Sequence, residues 1–261
     1  MGYRTKQTGY PNELLASRAI IQRGNFALIP PKGLVKNIIP GFEDCEISIL
    51  ASPKLGATFV DYSCTVLPGG KNEMGFGEEG IESFLYVIEG TLQTRVGEDS
   101  FCLEAGGYVY APPTKKIYFR NETNENVEIF LYKKRYQPLR ELEPYTVVGN
   151  VNQLEAEEYE GMTDVHLTNL LPAGLEFDMN FHILAFDPGA SHGYIETHVQ
   201  EHGAIILTGE GLYNLDNHWI PVETGDYIFM GAYSLQAGYS VGRDRPFSYL
   251  YSKDCNRDVT L

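Results

Sequence analysis

Cysteine, tryptophan and positive charge are all scarce in this 261-residue chain: four Cys, one Trp, and 20 Lys and Arg against 35 Asp and Glu. Cys45, Cys64, Cys102 and Cys255 form no close pair and no metal-type spacing. That argues against a thiolate zinc site or a disulfide scaffold and for reduced, buried thiols. With a formal charge of −15 there is no Lys/Arg cluster to neutralise phosphates, so nucleic acid is excluded as a partner. No run approaches the ~18 apolar residues of a membrane span, and Met1 to Lys6 lacks an apolar signal core. No glycine-rich stretch has the strand-to-helix setting of a phosphate loop. The expectation is a cytoplasmic protein. An anionic substrate would need local positive charge, from a metal or a placed lysine.

What is present suits a sizeable core: 43% hydrophobic residues, with 18 Tyr and 13 Phe. Most of these aromatics belong inside, and the excess suits an interface between copies, so a homo-oligomer is expected. A shift of 119 residues aligns two stretches without a gap. Glu82 falls on Glu201, Gly90 on Gly209, Glu104 on Glu223, Gly106 on Gly225 and Tyr108 on Tyr227. Leu131, Tyr132 and Lys134 fall on Leu250, Tyr251 and Lys253. Two copies of one β unit explain this, over about 77–134 and 196–253.

Within each copy, short apolar-polar runs end in glycine or proline turns at roughly ten-residue spacing, the pattern of an antiparallel sandwich or barrel. The charged stretch between the copies predicts a short helix over Leu154 to Tyr159, with Asn152 as its N-cap. The boundary is placed near 148. Residues 1–148 then form an arm plus the first barrel, and 149–261 the second. Phe26 to Ile29 and Ile47 to Leu50 are strand-like pieces of the arm, for which packing across both halves is the expectation.

Glu196, His198 and His202 share one parity, so on an extended strand their side chains leave the same face. With Gln236 they make two imidazoles, a carboxylate and a carboxamide, a set suited to a borderline-to-hard divalent ion. Subtracting 119 puts Gly77, Glu79, Ser83 and Ile117 at the same places, and that set cannot hold a metal. The first copy is therefore expected to be a metal-free scaffold. His182 and His192 are expected to be core or turn histidines; the alternative for His192 is a fifth metal contact. His166 and His218 are expected at the surface.

The spacing of Glu196, His198, His202 and Gly209 resembles the first motif of the cupin superfamily, with the acid and one histidine exchanged. Gly225, Gly231 and Gln236 resemble its second motif, with glycine for proline and glutamine for histidine. The two copies together resemble a bicupin: all-β, two tandem jelly-roll-like cupin barrels with few short helices. The strings Gly33 to Gly41, Gly189 to His198, Tyr233 to Gly238 and Ser252 to Arg257 resemble the bacterial (S)-ureidoglycine aminohydrolases.

That resemblance implies manganese-dependent hydrolysis of (S)-ureidoglycine to (S)-ureidoglycolate and ammonia in allantoin catabolism. It implies Glu196, His198, His202 and Gln236 as metal ligands and Tyr213, Tyr249 and Lys253 as substrate contacts. Lys253 or the acidic Glu196 would move the proton. Two other readings use the same residues: an iron-dependent bicupin dioxygenase, and a non-catalytic bicupin that binds a small molecule.

Overall fold

The structure is a computed structural model that describes residues 18–253 and Arg257. Cys255 and the opening residues read above for a leader lie outside the described residues. Among the described residues twenty strands account for the fold, and the helical content is two 3-10 turns, Pro31–Gly33 and Val151–Gln153. No described helix is long and apolar enough to cross a membrane. The chain is all-β.

It divides into two compact units. One holds Leu34–Pro53 and Thr58–Gln153; the other holds residues 18–33, Lys54–Ala57 and 154–253. In the first, Val127–Arg135 lies between Ile81–Glu89 and Phe59–Phe76. Gly107–Ala111 pairs with Ile81–Glu89, and Val147–Asn150 closes that edge. Phe59–Phe76 is 18 residues long, with a register break between Asn72 and Phe76. Across the break it pairs with Ile117–Arg120, which carries Thr91–Val96 and then Asp99–Glu104. One bent strand thus serves both faces of the barrel, as bulged strands do.

The second unit repeats the plan. Phe247–Lys253 lies between Asn180–Phe186 and His202–Thr208, with Tyr227–Met230 beyond. A three-stranded sheet of His218–Glu223, Glu210–Leu215 and Gln236–Ser240 faces it. The offset of 119 holds strand by strand: Thr91–Val96 against Glu210–Leu215, Asp99–Glu104 against His218–Glu223, and Ile117 against Gln236 at the start of its strand.

Alternate residues fill each interior. Leu85, Val87, Val109, Ile117 and Leu131 lie in the first core; Leu184, Phe186, Ile206, Tyr213 and Tyr249 lie in the second. Each such side chain contributes roughly 1.5–3 kcal/mol through burial.

The arm is shared between the units. Phe42–Ala51 pairs with Phe59–Phe76 in the first. Phe26–Ile29 pairs with Tyr227–Met230 in the second unit, and Ile20–Gln22 pairs in turn with Phe26–Ile29. An unpaired Tyr227–Met230 edge would expose a row of backbone donors and acceptors. Val147–Asn150 does the same for the equivalent edge of the first unit. One expectation needs correction: the helix over 154–159 is absent. Asn150 Oδ1 accepts the Asn152 amide at 2.9 Å over a 3-10 turn, and Glu157–Tyr159 is a strand paired with Met162–Asn169. Positive φ at Glu160 and Gly161 makes the hairpin turn that brings these strands back together.

Gly209, at the end of the strand carrying His202, has φ +77°, and an added Cβ would stand 2.5 Å from the Pro246 carbonyl oxygen. Gly189 has φ +86° with nothing within 4 Å. Gly209→Ala should therefore cost about 2–4 kcal/mol of stability and Gly189→Ala only about 1 kcal/mol. Denaturant titration of both variants checks this, and equal losses would contradict it.

Candidate functional site

A cleft in the second barrel is lined by Glu196, His198, His202, Tyr213, Gln236, Tyr249 and Lys253, together with Tyr159, Leu184, Met230 and Tyr251. All seven residues singled out from the sequence therefore line one space. They arrive from different elements. His202 opens the strand His202–Thr208, Tyr213 sits on Glu210–Leu215, Gln236 opens Gln236–Ser240, and Tyr249 and Lys253 lie on Phe247–Lys253.

Glu196 and His198 are not on one continuous strand with His202, as parity had suggested; they precede it in irregular backbone. Glu196 is fixed instead by an isolated bridge, its amide and carbonyl each bonded to those of Gln236 at 3.0 Å.

The loop that delivers Gln236 is pinned by Asn25 of the arm. The Asn25 carbonyl accepts the Gly231 amide at 2.6 Å and the Ser234 hydroxyl at 2.7 Å, while its Nδ2 donates to Asp216 at 2.7 Å. A Cβ on Gly231 would meet the Asn25 and Gly24 carbonyl oxygens at 2.8 Å, which explains glycine where the cupin motif has proline.

The imidazoles are locked by their backbone partners. His198 Nδ1 is 3.0 Å from the Gln200 carbonyl oxygen and His202 Nδ1 is 2.7 Å from that of Ser252. A carbonyl only accepts, so each Nδ1 carries the proton and each Nε2 keeps a lone pair. Those two Nε2 atoms face each other at 3.2 Å. The Gln236 Nε2 is 2.8 Å from His198 Nε2; the same carboxamide turned over presents its oxygen there. Burial, then the Lys253 charge, lowers the pKa of His198; burial, then His198, takes that of His202 well down. Both rings are neutral bases at neutral pH. Two lone pairs aimed at one point repel unless a cation lies between them or a donor such as the Gln236 amide caps one, so the donor set fits a divalent ion.

Glu196 lines the same cleft, and its carboxylate accepts the Tyr159 hydroxyl at 3.4 Å. Among the described residues no third His, Cys, Asp or Glu side chain joins His198 and His202 at ion-holding distance. The close set is His198, His202 and Gln236. Burial raises the Glu196 pKa and Lys253 opposes that shift. Tyr159 was missed by sequence reading, which had put it at the end of a helix. As the last residue of a strand it turns inward, 9% exposed.

The Tyr213 and Tyr249 hydroxyls are 3.3 Å apart in the interior, and burial pushes both pKa values above the ordinary phenol value. They stay protonated and can donate.

His192 is no ligand in this arrangement. Its Nδ1 accepts the Gly238 amide at 2.8 Å, so its Nε2 carries the proton. The ring clamps the loop before Glu196 to the strand of Gln236, edge-on to Phe186. His166 reaches Asp187 at 3.3 Å with a half-exposed side chain. In the first copy Ile117 is fully buried in the apolar interior, Ser83 Oγ donates to the Phe76 carbonyl and Glu79 is exposed.

The cupin domain family matches residues 62–132. Over 100% of both chains, the sequence is 61% identical to (S)-ureidoglycine aminohydrolase of Escherichia coli (strain K12). It is 29% identical to (S)-ureidoglycine aminohydrolase of Arabidopsis thaliana, over 93% of this chain and 79% of that one. The crystal structure of protein Ylba from E. coli superposes with a TM-score of 0.86 at 58% identity, covering 97% of this chain and 100% of that one. The fold and these matches define a cupin protein with two β-barrel copies. More particularly, the chain belongs to the (S)-ureidoglycine aminohydrolase family, a family of enzymes.

Burial lowers the pKa of His182 to about 3, with Lys253 adding to the effect, and that of His192 to about 4. The unfolded chain binds protons at these rings near pH 6.5 and the folded chain does not. Their contribution to stability is therefore complete above about pH 6.5 and is lost as pH falls toward 4, on the order of 3 kcal/mol per ring. The melting temperature should be level from pH 7 to 8 and fall from 6.5 to 4. A flat profile over the lower interval would contradict this account of the two rings.

Proposed function

We propose that this chain hydrolyses (S)-ureidoglycine to (S)-ureidoglycolate and ammonia, as a manganese-dependent step of allantoin breakdown. The observation that carries the reaction is full-length 61% identity to an enzyme of that name. What supports the metal is the pair of backbone-anchored imidazoles with lone pairs meeting at 3.2 Å. Glu196, His198, His202 and Gln236 would hold the ion, Glu196 by releasing Tyr159. Nitrogen and oxygen donors without thiolate suit manganese. The bound ion would supply Lewis acidity toward the substrate's anionic carboxylate.

The chain's own residues account for the rest of the chemistry. The reaction breaks the bond from the central carbon to its amine and forms a carbon–oxygen bond from water. The departing nitrogen must gain a proton and the water must lose one. Lys253 is a donor with three N–H groups, and it offsets the substrate carboxylate in a strongly acidic protein. Glu196, whose carboxyl is drawn upward by burial, would take the proton from water. Tyr213 and Tyr249, kept protonated by burial, donate to the ureido oxygen and hold its plane. The aromatic wall excludes bulk water, strengthening each of these contacts. The same reading has the chain act on a dissolved small anion in the cytoplasm, as a homo-oligomer.

Ammonia release from freshly generated ureidoglycine, with manganese added and then chelated, tests the proposal. The expected result is release that depends on manganese, needs no oxygen and is confined to the S enantiomer. Oxygen uptake would favour the dioxygenase reading. Equal rates on R and S would contradict the fixed orientation. Gln236→Ile, which copies the first barrel, should lower kcat/KM by about 100-fold or more through lost metal.

A further inference from the structure

His182 takes no part in the site as described so far, yet its hydrogen bonds fix its state with little freedom. Asn169 Nδ2 donates to Glu157 Oε1 at 2.7 Å, and a carboxylate oxygen can only accept. That orients the Asn169 amide and leaves its Oδ1 facing His182 Nδ1 at 2.8 Å. An amide oxygen also only accepts, so Nδ1 of His182 carries the proton and Nε2 is a bare lone pair. This Nε2 is buried and has no hydrogen-bond partner among the described residues, in a side chain 7% exposed. Buried polar atoms left this way are rare and costly, and each asks what fills it.

The sheet register points to the partner. His182 pairs with Tyr251, and Asn180 with Lys253, on adjacent antiparallel strands. Leu184, two residues on from His182, and Tyr251 and Lys253 all line the cleft, so these side chains share the inward face. His182 and Lys253 are therefore diagonal neighbours, a separation of about 7–8 Å between backbones that a lysine side chain spans readily. The His182 ring lies against that of Tyr251 at 5.2 Å, and Tyr251 meets His202 edge-on at 5.2 Å. Lys253 acts electrostatically on His182, His198, His202 and Glu196 alike. Lys253 has donors and no acceptor; His182 Nε2 is an acceptor and no donor.

We infer that His182 is a positioning residue: its Nε2, which makes no hydrogen bond to Lys253 in this structure, takes one N–H of the Lys253 ammonium once that side chain turns toward it, and fixes where the charge meets the substrate. The inference rests on the proposed role of Lys253 at the substrate carboxylate. Of the three ammonium hydrogens one would be held by His182, leaving two for the substrate. Glu157 and Asn169, at the barrel rim, hold the ring from behind.

Two readouts test this. In 15N NMR of labelled protein, with His182 assigned from its loss in His182→Gln, Nδ1 should carry the proton and Nε2 should be a hydrogen-bonded acceptor. Lys253→Met should shift that Nε2 resonance toward a free lone pair. A proton on Nε2, or no response to Lys253→Met, would overturn the inference.

In kinetics with manganese-loaded protein, His182→Phe should raise KM for ureidoglycine about tenfold, the scale of one hydrogen bond to a charged group, with metal content unchanged. His182→Gln, which keeps an acceptor, should bring KM back to within about threefold. Unchanged KM in His182→Phe, or equal losses in both variants, would overturn it. If the unaltered protein releases no ammonia, the proposed reaction fails, and the NMR response alone decides the contact between His182 and Lys253.

Discussion

Two imidazole lone pairs aimed at each other across 3.2 Å are the constraint on which the second barrel is built. Neither ring can turn away without abandoning a backbone carbonyl, since His198 is tied to Gln200 and His202 to Ser252. Neither can escape by protonation, because burial holds both neutral. Only a cation, or a donor such as the Gln236 amide, relieves the opposition. The barrel stores this local cost at one point and offsets it elsewhere through an interior packed with aromatics.

The supports of that point reach into the arm. Asn25 accepts from Gly231 and Ser234 and so sets the loop entering Gln236; Glu196 is carried by the backbone of Gln236 itself. A four-residue strand from the arm therefore does two jobs. It covers the Tyr227–Met230 edge, and its turn holds the loop of a proposed ligand. The first unit keeps the edge-covering job with Val147–Asn150 and fills the corresponding interior position with Ile117. The same strand plan thus supports an apolar interior in one copy and a polar cleft in the other.

The repeat made much of this legible in advance. A 119-residue offset found by matching glycines and acids also matches strand starts, because turns and strand lengths fix the register of a barrel. The ligand candidates were legible because side-chain chemistry is local to the sequence. What escaped was nonlocal or directional. The pairing of Phe26–Ile29 with Tyr227–Met230 joins residues some 200 apart, which no periodicity reports. Tyr159 was hidden because a charged stretch before it fits a helix as well as a strand, and the Glu160–Gly161 turn decides for the strand. The stand-off of the Glu196 carboxylate and the tautomers of four histidines depend on hydrogen-bond partners that only coordinates provide.

The most direct test is anomalous diffraction from crystals soaked in manganese. The account predicts one strong peak per chain, about 2.0–2.5 Å from Nε2 of both His198 and His202, with the Gln236 carboxamide turned oxygen-inward and Glu196 drawn away from Tyr159. A peak among Gly77, Glu79, Ser83 and Ile117 instead, or none at the facing imidazoles of a protein that still releases ammonia, would contradict it.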